Sequence, residues 1–538
     1  MECLVNLRIM KQNTAIHRML LVLLSVALLS LGWLGITGLT LLVAFIPLLI
    51  LSENLSDSTR DFWRMFGWAT LTFMLWNAAT IWWVWNATPI GPIAAGIAGT
   101  FYNLCGFMLY HYTSKRAPRA LAYTMLVAVW IATEWAYNSA EVMTFPWLLL
   151  GHGFSNDIWA VQWYEYTGIF GGTLWVWASN IAIFEVLRTR TKTSKVRAGA
   201  IVLLPMLLSL VLLLTYKPSD RTAQISVIQP NVPCYPEERE ERNKMNPEGD
   251  IVKLIEQVPA TSSFMLLPES ALVYIPGVPS IDESDYSNVE PILDGMIGDD
   301  KSATKLITGA STKVLYDENN VTSTASYSDF FGWFDRFNTA LLVNHKGKVE
   351  NTYHKGKLVV GVEAVPFREM FDYFEVDLGG VTGQLGWGDK YTLFENNGVV
   401  IGPSICYEGL YGGYFSGFAR EGAEVMALIS NDGWWGNTLG HRRLFDFCRL
   451  RAIETRRAIA RSANTGISGF ISPQGMVIGD RLEWDQEGVL TEEVELRSEK
   501  TIYTLYGDWI ARISTFVAVL TLLYYVAYRI RKRNHLVD

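Results

Sequence analysis

Long apolar runs separated by short polar stretches dominate the first part of the chain. Runs at 19–34 and 39–51, joined by the uncharged Gly35-Ile36-Thr37-Gly38, read as a helical hairpin of two short membrane helices. Further runs at 62–84, 90–110, 121–137, 168–187, 198–215 and 509–528 are each near the roughly 17–25 residues that cross a bilayer. Eight membrane helices are expected, seven before a long middle segment and one after it. That middle segment has a different period. Short β-type runs at 224–228, 263–267, 305–309, 339–343, 399–405 and 425–429 alternate with helical stretches at 414–421 and 441–459. Turn punctuation at His345-Lys346-Gly347-Lys348 and Pro473-Gln474-Gly475 adds hairpins. This is α/β layering, two sheets with helices outside them. The expected division is 1–216, a seven-helix membrane domain; 217–502, a globular α/β domain; and 503–538, a last membrane helix with a basic tail.

Composition agrees with the membrane reading, since half of the 538 residues are hydrophobic and 20 are Trp. Charge then orients the chain. Residues 217–502 hold 27 Lys+Arg against 42 Asp+Glu, whereas 1–216 and 503–538 are both net positive. Basic residues cluster near the N-terminus, at Arg60 and Arg64, at Lys115, Arg116 and Arg119, at 188–197 and at 529–533. The alternate loops nearly lack them, so both termini are expected in the cytoplasm and the acidic block on the outer face. An acidic middle block also excludes nucleic acid as a partner. Five cysteines without CxxC spacing and seven histidines without a ligand cluster imply no disulfide framework and no metal or other cofactor. Glu134, within the fifth span, is a functional candidate or an interfacial residue that reaches water, and is left outside the catalytic set.

The candidate chemistry lies at strand ends. Val399-Val400-Ile401 leads through Gly402-Pro403-Ser404-Ile405 to Cys406, which puts the sulfur on a turn between a buried strand and a helix, where a nucleophile is favoured. Phe264-Met265-Leu266-Leu267-Pro268 delivers Glu269 to the rim of a core. Tyr353-His354-Lys355-Gly356-Lys357-Leu358 carries Lys355, with Glu363 eight residues later. Ser430-Asn431-Asp432-Gly433-Trp434 and Asn464-Thr465-Gly466 follow. An unperturbed thiol and an unperturbed glutamate differ by about 4 pKa units. Burial of Glu269 and the Lys355 ammonium beside the sulfur are expected to close that gap by raising the acid and lowering the thiol.

This ordered set resembles the nitrilase, or carbon-nitrogen hydrolase, superfamily. The membrane helices around it, with Phe145-Pro146-Trp147 and Gln229-Pro230-Asn231, resemble the apolipoprotein N-acyltransferase family within it. The resemblance implies an αββα sandwich on the periplasmic face of a bacterial inner membrane, with Glu269, Lys355 and Cys406 as the catalytic triad. It implies Glu363 and Glu408 as carboxylates orienting the lysine and the incoming amine, with Tyr407 lining the site and Asn431 and Trp434 as supporting residues. The implied partners are a phospholipid acyl donor, a diacylglyceryl apolipoprotein acceptor and the bilayer, served by a monomer. The implied reaction passes an acyl chain through a thioester on Cys406 to an α-amino group. A membrane-tethered amidase using water as acceptor is the alternative enzyme; a scaffold or transporter with an inactive domain is disfavoured by the intact triad. Two departures from the family pattern stand out: Val359-Val360-Gly361-Val362 after the lysine motif, and Cys234-Tyr235 where a tryptophan is common. The aromatic stretch 327–337 and the Gly-rich 378–388 are candidate lipid-facing loops.

Overall fold

The computed structural model describes residues 15–140, 144–235, 250–275, 278, 280–364 and 384–533. The chain forms two compact units: residues 1–82, 90–215 and 508–538 in one, 83–89 and 216–507 in the other.

The first unit is helical. Among the described residues, five helices are long and apolar enough to cross a membrane: Gly91–Ser114, Arg119–Ser139, Tyr164–Thr189, Lys192–Leu214 and Trp509–Arg533. Thr59–Ile81, also expected as a span, has 23 residues but opens on Arg60, Asp61 and Arg64 and is not one of these five. Ala15–Ser30 and Leu41–Asn54 are shorter apolar helices, as the hairpin reading anticipated. The second of these breaks at Phe45, ahead of Pro47, and buried Asn180 bridges the break by accepting from Phe45 N and donating to Leu41 O. Helix Lys192–Leu214 leaves Leu203, Leu204, Leu207, Leu208, Val211 and Leu214 exposed, an apolar surface far larger than water tolerates. Glu134 does not reach water. It is buried and accepts from Trp130 Nε1, Leu150 N and Thr173 Oγ1, tying its helix to the segments that follow.

The second unit holds two sheets. One has eight strands: β1 (Thr222–Gln229), β2 (Phe264–Leu266), β3 (Ile281–Asp282), β4 (Lys305–Tyr316), β5 (Ser326–Ser328), β6 (Gly332–Val343), β7 (Val349–His354) and β14 (Gly488–Glu495). Its main path runs β14-β1-β2-β4-β6-β5, with β3 on β4 and β7 on β6. The other runs β13-β12-β11-β10-β9-β8, comprising β8 (Phe394–Asn396), β9 (Val399–Ile405), β10 (Val425–Ser430), β11 (Ala458–Ala463), β12 (Ser468–Ile471) and β13 (Val477–Leu482). β1 packs on β11 and β6 on β9, so the sheets face each other. Helices Asp250–Glu256 and Glu290–Ile297 cover the first sheet through Leu254, Ile255, Leu293 and Ile297; Gly412–Glu421 and Leu439–Thr455 lie against the second. The result is an αββα sandwich.

The expected strand at 399–405 matches β9, while β4 and β6 run seven residues past the apolar cores that announced them. The helix expected over 441–459 ends at Thr455, because Arg456 turns left-handed (φ 50°) and the chain re-enters the sheet as β11. Two of its arginines, Arg443 and Arg451, are buried, while Arg442 is exposed. Arg451 is fully buried, donating to Leu410 O and to Glu454 at 2.9 Å. Residues 83–89 contribute Trp83, whose ring meets Trp435 edge-on at 5.2 Å, and Asn86, which donates to Trp435 O. Removing one member of a buried ion pair strands the other. Glu454→Ala is accordingly expected to cost about 3–5 kcal/mol, read as a fall in the thermal unfolding temperature.

Candidate active site

Three strand ends from the two sheets converge. β2 ends on Leu266, and Pro268 then turns the chain so that Glu269 leaves the sheet beside β4. The approach is close: a Cβ on Gly309 of β4 would lie 2.6 Å from Glu269 Cα and 2.3 Å from Ser270 N. Only a glycine leaves room there. Lys355 follows β7 directly, its N–H donating to Asn338 O of β6 at 2.9 Å. Cys406 follows β9 with φ 49°, a left-handed value unusual for a non-glycine residue and characteristic of strained functional turns.

The side chains form a closed cluster. Lys355, 1% exposed, places Nζ 3.0 Å from Glu269 Oε1 and 2.9 Å from Glu363 Oε1. Asn338 Nδ2 bridges the same two oxygens, at 2.7 and 2.8 Å. Asn431 N donates to Glu269 Oε2 at 2.9 Å, and Val359 N to Glu363 Oε2 at 2.8 Å. Burial disfavours the ammonium, but Glu269 and Glu363 more than offset it and hold Lys355 well above the usual lysine range. The Cys406 residue is buried, and Glu269, Lys355 and Asp432 are near enough to act on its sulfur electrostatically.

The sulfur corrects one expectation. The ammonium was expected to lower the thiol, yet burial pushes Cys406 well above the usual range, and nearby Glu269 adds to the rise. Lys355 and Ser430 pull the other way without overcoming it. The resting sulfur is therefore a thiol.

Glu408 is also placed differently from the expectation. It does not hydrogen-bond to the lysine side chain: Oε1 accepts from Tyr353 Oη, Gly356 N and Lys357 N, and Oε2 from Ile405 N. It thereby pins the loop after Lys355 to the turn before Cys406, and burial raises it to about 7. Tyr407 is buried with its ring edge-on to Tyr411, and half-buried Trp434 meets Tyr235 edge-on at 5.8 Å. Cys234, at one of the two departures, donates to Asn431 Oδ1 at 3.1 Å and so supports the residue that holds Glu269. In the aromatic stretch Phe330 is 92% exposed, and Tyr327 and Phe331 are also exposed. Residues 378–383 of the Gly-rich candidate lie outside the described residues. Among the described residues no group of acidic, His or Cys side chains is arranged to hold a metal ion.

Asn338 went unread in the sequence. Its signal was available: an amide within the largely apolar 337–343 run of a buried strand needs polar partners.

Residues 249–502 match the family model "Carbon-nitrogen hydrolase", and residues 20–182 match "Apolipoprotein N-acyltransferase N-terminal domain". Relatives named apolipoprotein N-acyltransferase include one from Chlorobaculum tepidum, 26% identical over 88% of this chain and 90% of the relative. Another, from Gloeobacter violaceus, is 23% identical over 91% of this chain and 90% of its own. A solved CN-hydrolase superfamily protein from Xanthomonas campestris covers 51% of this chain and 90% of its own, at 15% identity and a TM-score of 0.33.

The close approach at β4 sets a test. Gly309→Ala is expected to displace the Glu269 backbone and cost about 1–3 kcal/mol, measured by thermal unfolding.

Proposed function

The chain belongs to the apolipoprotein N-acyltransferase family of the nitrilase superfamily, and we propose that it moves an acyl chain from a membrane phospholipid to the free α-amino group of a diacylglyceryl-cysteine at an apolipoprotein N-terminus. One observation carries the mechanism: the Lys355 ammonium lies 3.0 Å from Glu269, and both act on the sulfur of Cys406 at the end of β9. In the first half-reaction Cys406 attacks the acyl ester while Glu269 takes the thiol proton. Lys355 and the Tyr407 N–H stabilise the oxyanion. Glu269 returns the proton to the departing glyceryl oxygen, and a lysophospholipid leaves behind a thioester. In the second, the amine attacks the thioester, Glu269 takes a proton from nitrogen, the amide forms and the thiol is restored. Glu363 keeps Lys355 charged throughout. Glu408 and Asn431 hold the lysine loop and the base through backbone groups.

The αββα unit lies on the periplasmic face of the inner membrane with both termini in the cytoplasm, a reading supported by the basic clusters and by Arg531, Lys532 and Arg533 in the last helical turn. Exposed Tyr327, Phe330 and Phe331 suit a lipid-facing loop, since aromatic side chains are favoured at the membrane interface.

Incubation with labelled phospholipid is expected to add one acyl group to Cys406, seen by mass spectrometry, and a lipopeptide is expected to clear it as N-acylated peptide. Cys406→Ala should lower transfer by roughly a thousandfold or more. Acylation of that variant at full yield rules the assignment out, and free acid in place of N-acylated peptide makes water the acceptor. The lysine works as the ammonium, so activity is lost as pH rises through its pKa. Glu363→Gln removes one of the two carboxylates that raise it, and the alkaline limb of the pH–rate profile is expected to move to lower pH.

A further inference from the structure

The loop that carries Lys355 carries a second lysine, Lys357, whose charge the fold leaves unmatched. Backbone hydrogen bonds fix the loop: Gly356 N and Lys357 N donate to Glu408 Oε1 at 2.6 and 3.3 Å, and Val359 N donates to Glu363 Oε2 at 2.8 Å. A Cβ on Gly356 would overlap the Tyr414 hydroxyl, so the chain lies directly against that ring. Tyr414 is held in turn, its hydroxyl 2.9 Å from that of Tyr353. From this backbone the half-buried Lys357 side chain places Nζ 5.5 Å from the Tyr411 ring centre and 5.8 Å from that of Tyr414. Aromatic faces steady an ammonium without neutralising it.

Other lysines of this unit are matched, Lys355 by Glu269 and Glu363 and Lys305 by Glu350. Lys357 forms no ion pair among the described residues. Glu408 takes its backbone N–H, but the four donors to that carboxylate are Tyr353 Oη, Gly356 N, Lys357 N and Ile405 N, and the ammonium is not among them. The place of this free cation matters. The Tyr411 ring beneath it meets the Tyr407 ring edge-on at 5.5 Å, and Tyr407 directly follows Cys406. Lys357 is thus one ring removed from the residue whose N–H is assigned to the oxyanion. In a phospholipid the phosphate stands one glycerol unit from the ester under attack, whereas a diacylglyceryl-cysteine carries no phosphate. We propose that Lys357 is a specificity-determining residue for the acyl donor, its ammonium receiving the donor's phosphate while Cys406 attacks the ester. This rests on the reading of the protein as a phospholipid-dependent acyltransferase. The contact, a charge-assisted hydrogen bond, forms with the donor and is lost with the lysophospholipid, so it serves the first half-reaction and leaves the second to a lipid without phosphate.

The test compares two donors on the full-length protein in detergent micelles, dipalmitoyl phosphatidylglycerol and p-nitrophenyl palmitate, an ester without phosphate, with acylation of Cys406 followed by mass spectrometry. Lys357→Gln is expected to slow acylation by the phospholipid about tenfold, the scale of one hydrogen bond to a charged group, and to lower the preference for the phosphate-bearing donor accordingly. Lys357→Arg, which keeps the charge, is expected to keep the preference; Lys357→Met replaces Lys357→Gln if the latter does not fold. A folded charge-free variant that slows both donors equally, as a loop defect would, or slows neither, overturns the proposal and leaves acyl transfer from phospholipid standing. A parent protein that takes no acyl group from the phospholipid overturns the underlying reading, and the proposal with it.

Discussion

A buried ammonium shared by two carboxylates is the constraint on which the catalytic unit depends. Lys355 is 1% exposed, and an uncompensated charge at that depth costs several kcal/mol. Glu269 and Glu363 compensate it from opposite chain directions, one arriving from β2 and the other from the loop after β7, and Asn338 keeps both in place. The cluster is over-determined: each carboxylate accepts from the ammonium, from the amide and from a backbone N–H. Such a network is rigid because moving any one member strands the others.

The backbone supports this rigidity. Glu269 and Lys355 follow strands of one sheet and Cys406 follows a strand of the other, so the packing of the two sheets sets the geometry of the chemistry. Glu408 joins the segments that follow Lys355 and precede Cys406, with three backbone N–H groups converging on one buried carboxylate. The strained φ at Cys406 is held by that arrangement. With the surroundings this fixed, the thiol can rest uncharged near the Lys355 ammonium.

Much of this was legible in the sequence wherever one residue carried the signal alone. Proline before Glu269, the strand ending on Cys406 and the glutamate eight residues past Lys355 each stood in a local pattern, and the apolar runs outlined both the helices and β9. What escaped was pairwise. Arg461 within the small, apolar 458–463 run needed a buried acid, but nothing local said that Asp432, on the adjacent strand's exit, would supply it. Asn338 needed two acceptors that arrive from 69 residues before it and 25 after it. Glu408 was read as facing the lysine and instead holds the backbone around it. The end of the helix at Thr455 depended on a left-handed arginine, which no propensity announces.

Residues 83–89 lie in sequence between two helices of the membrane unit, yet they are part of the catalytic one, where Trp83 packs on Trp435 and against Gly440. The αββα unit is thus assembled from two stretches of chain separated by more than a hundred residues of another body. A fragment beginning at Tyr216 would lack this wedge and bare an indole-lined notch beside the segment that carries Asn431 and Trp434. Excision at the obvious boundary divides one domain instead of separating two.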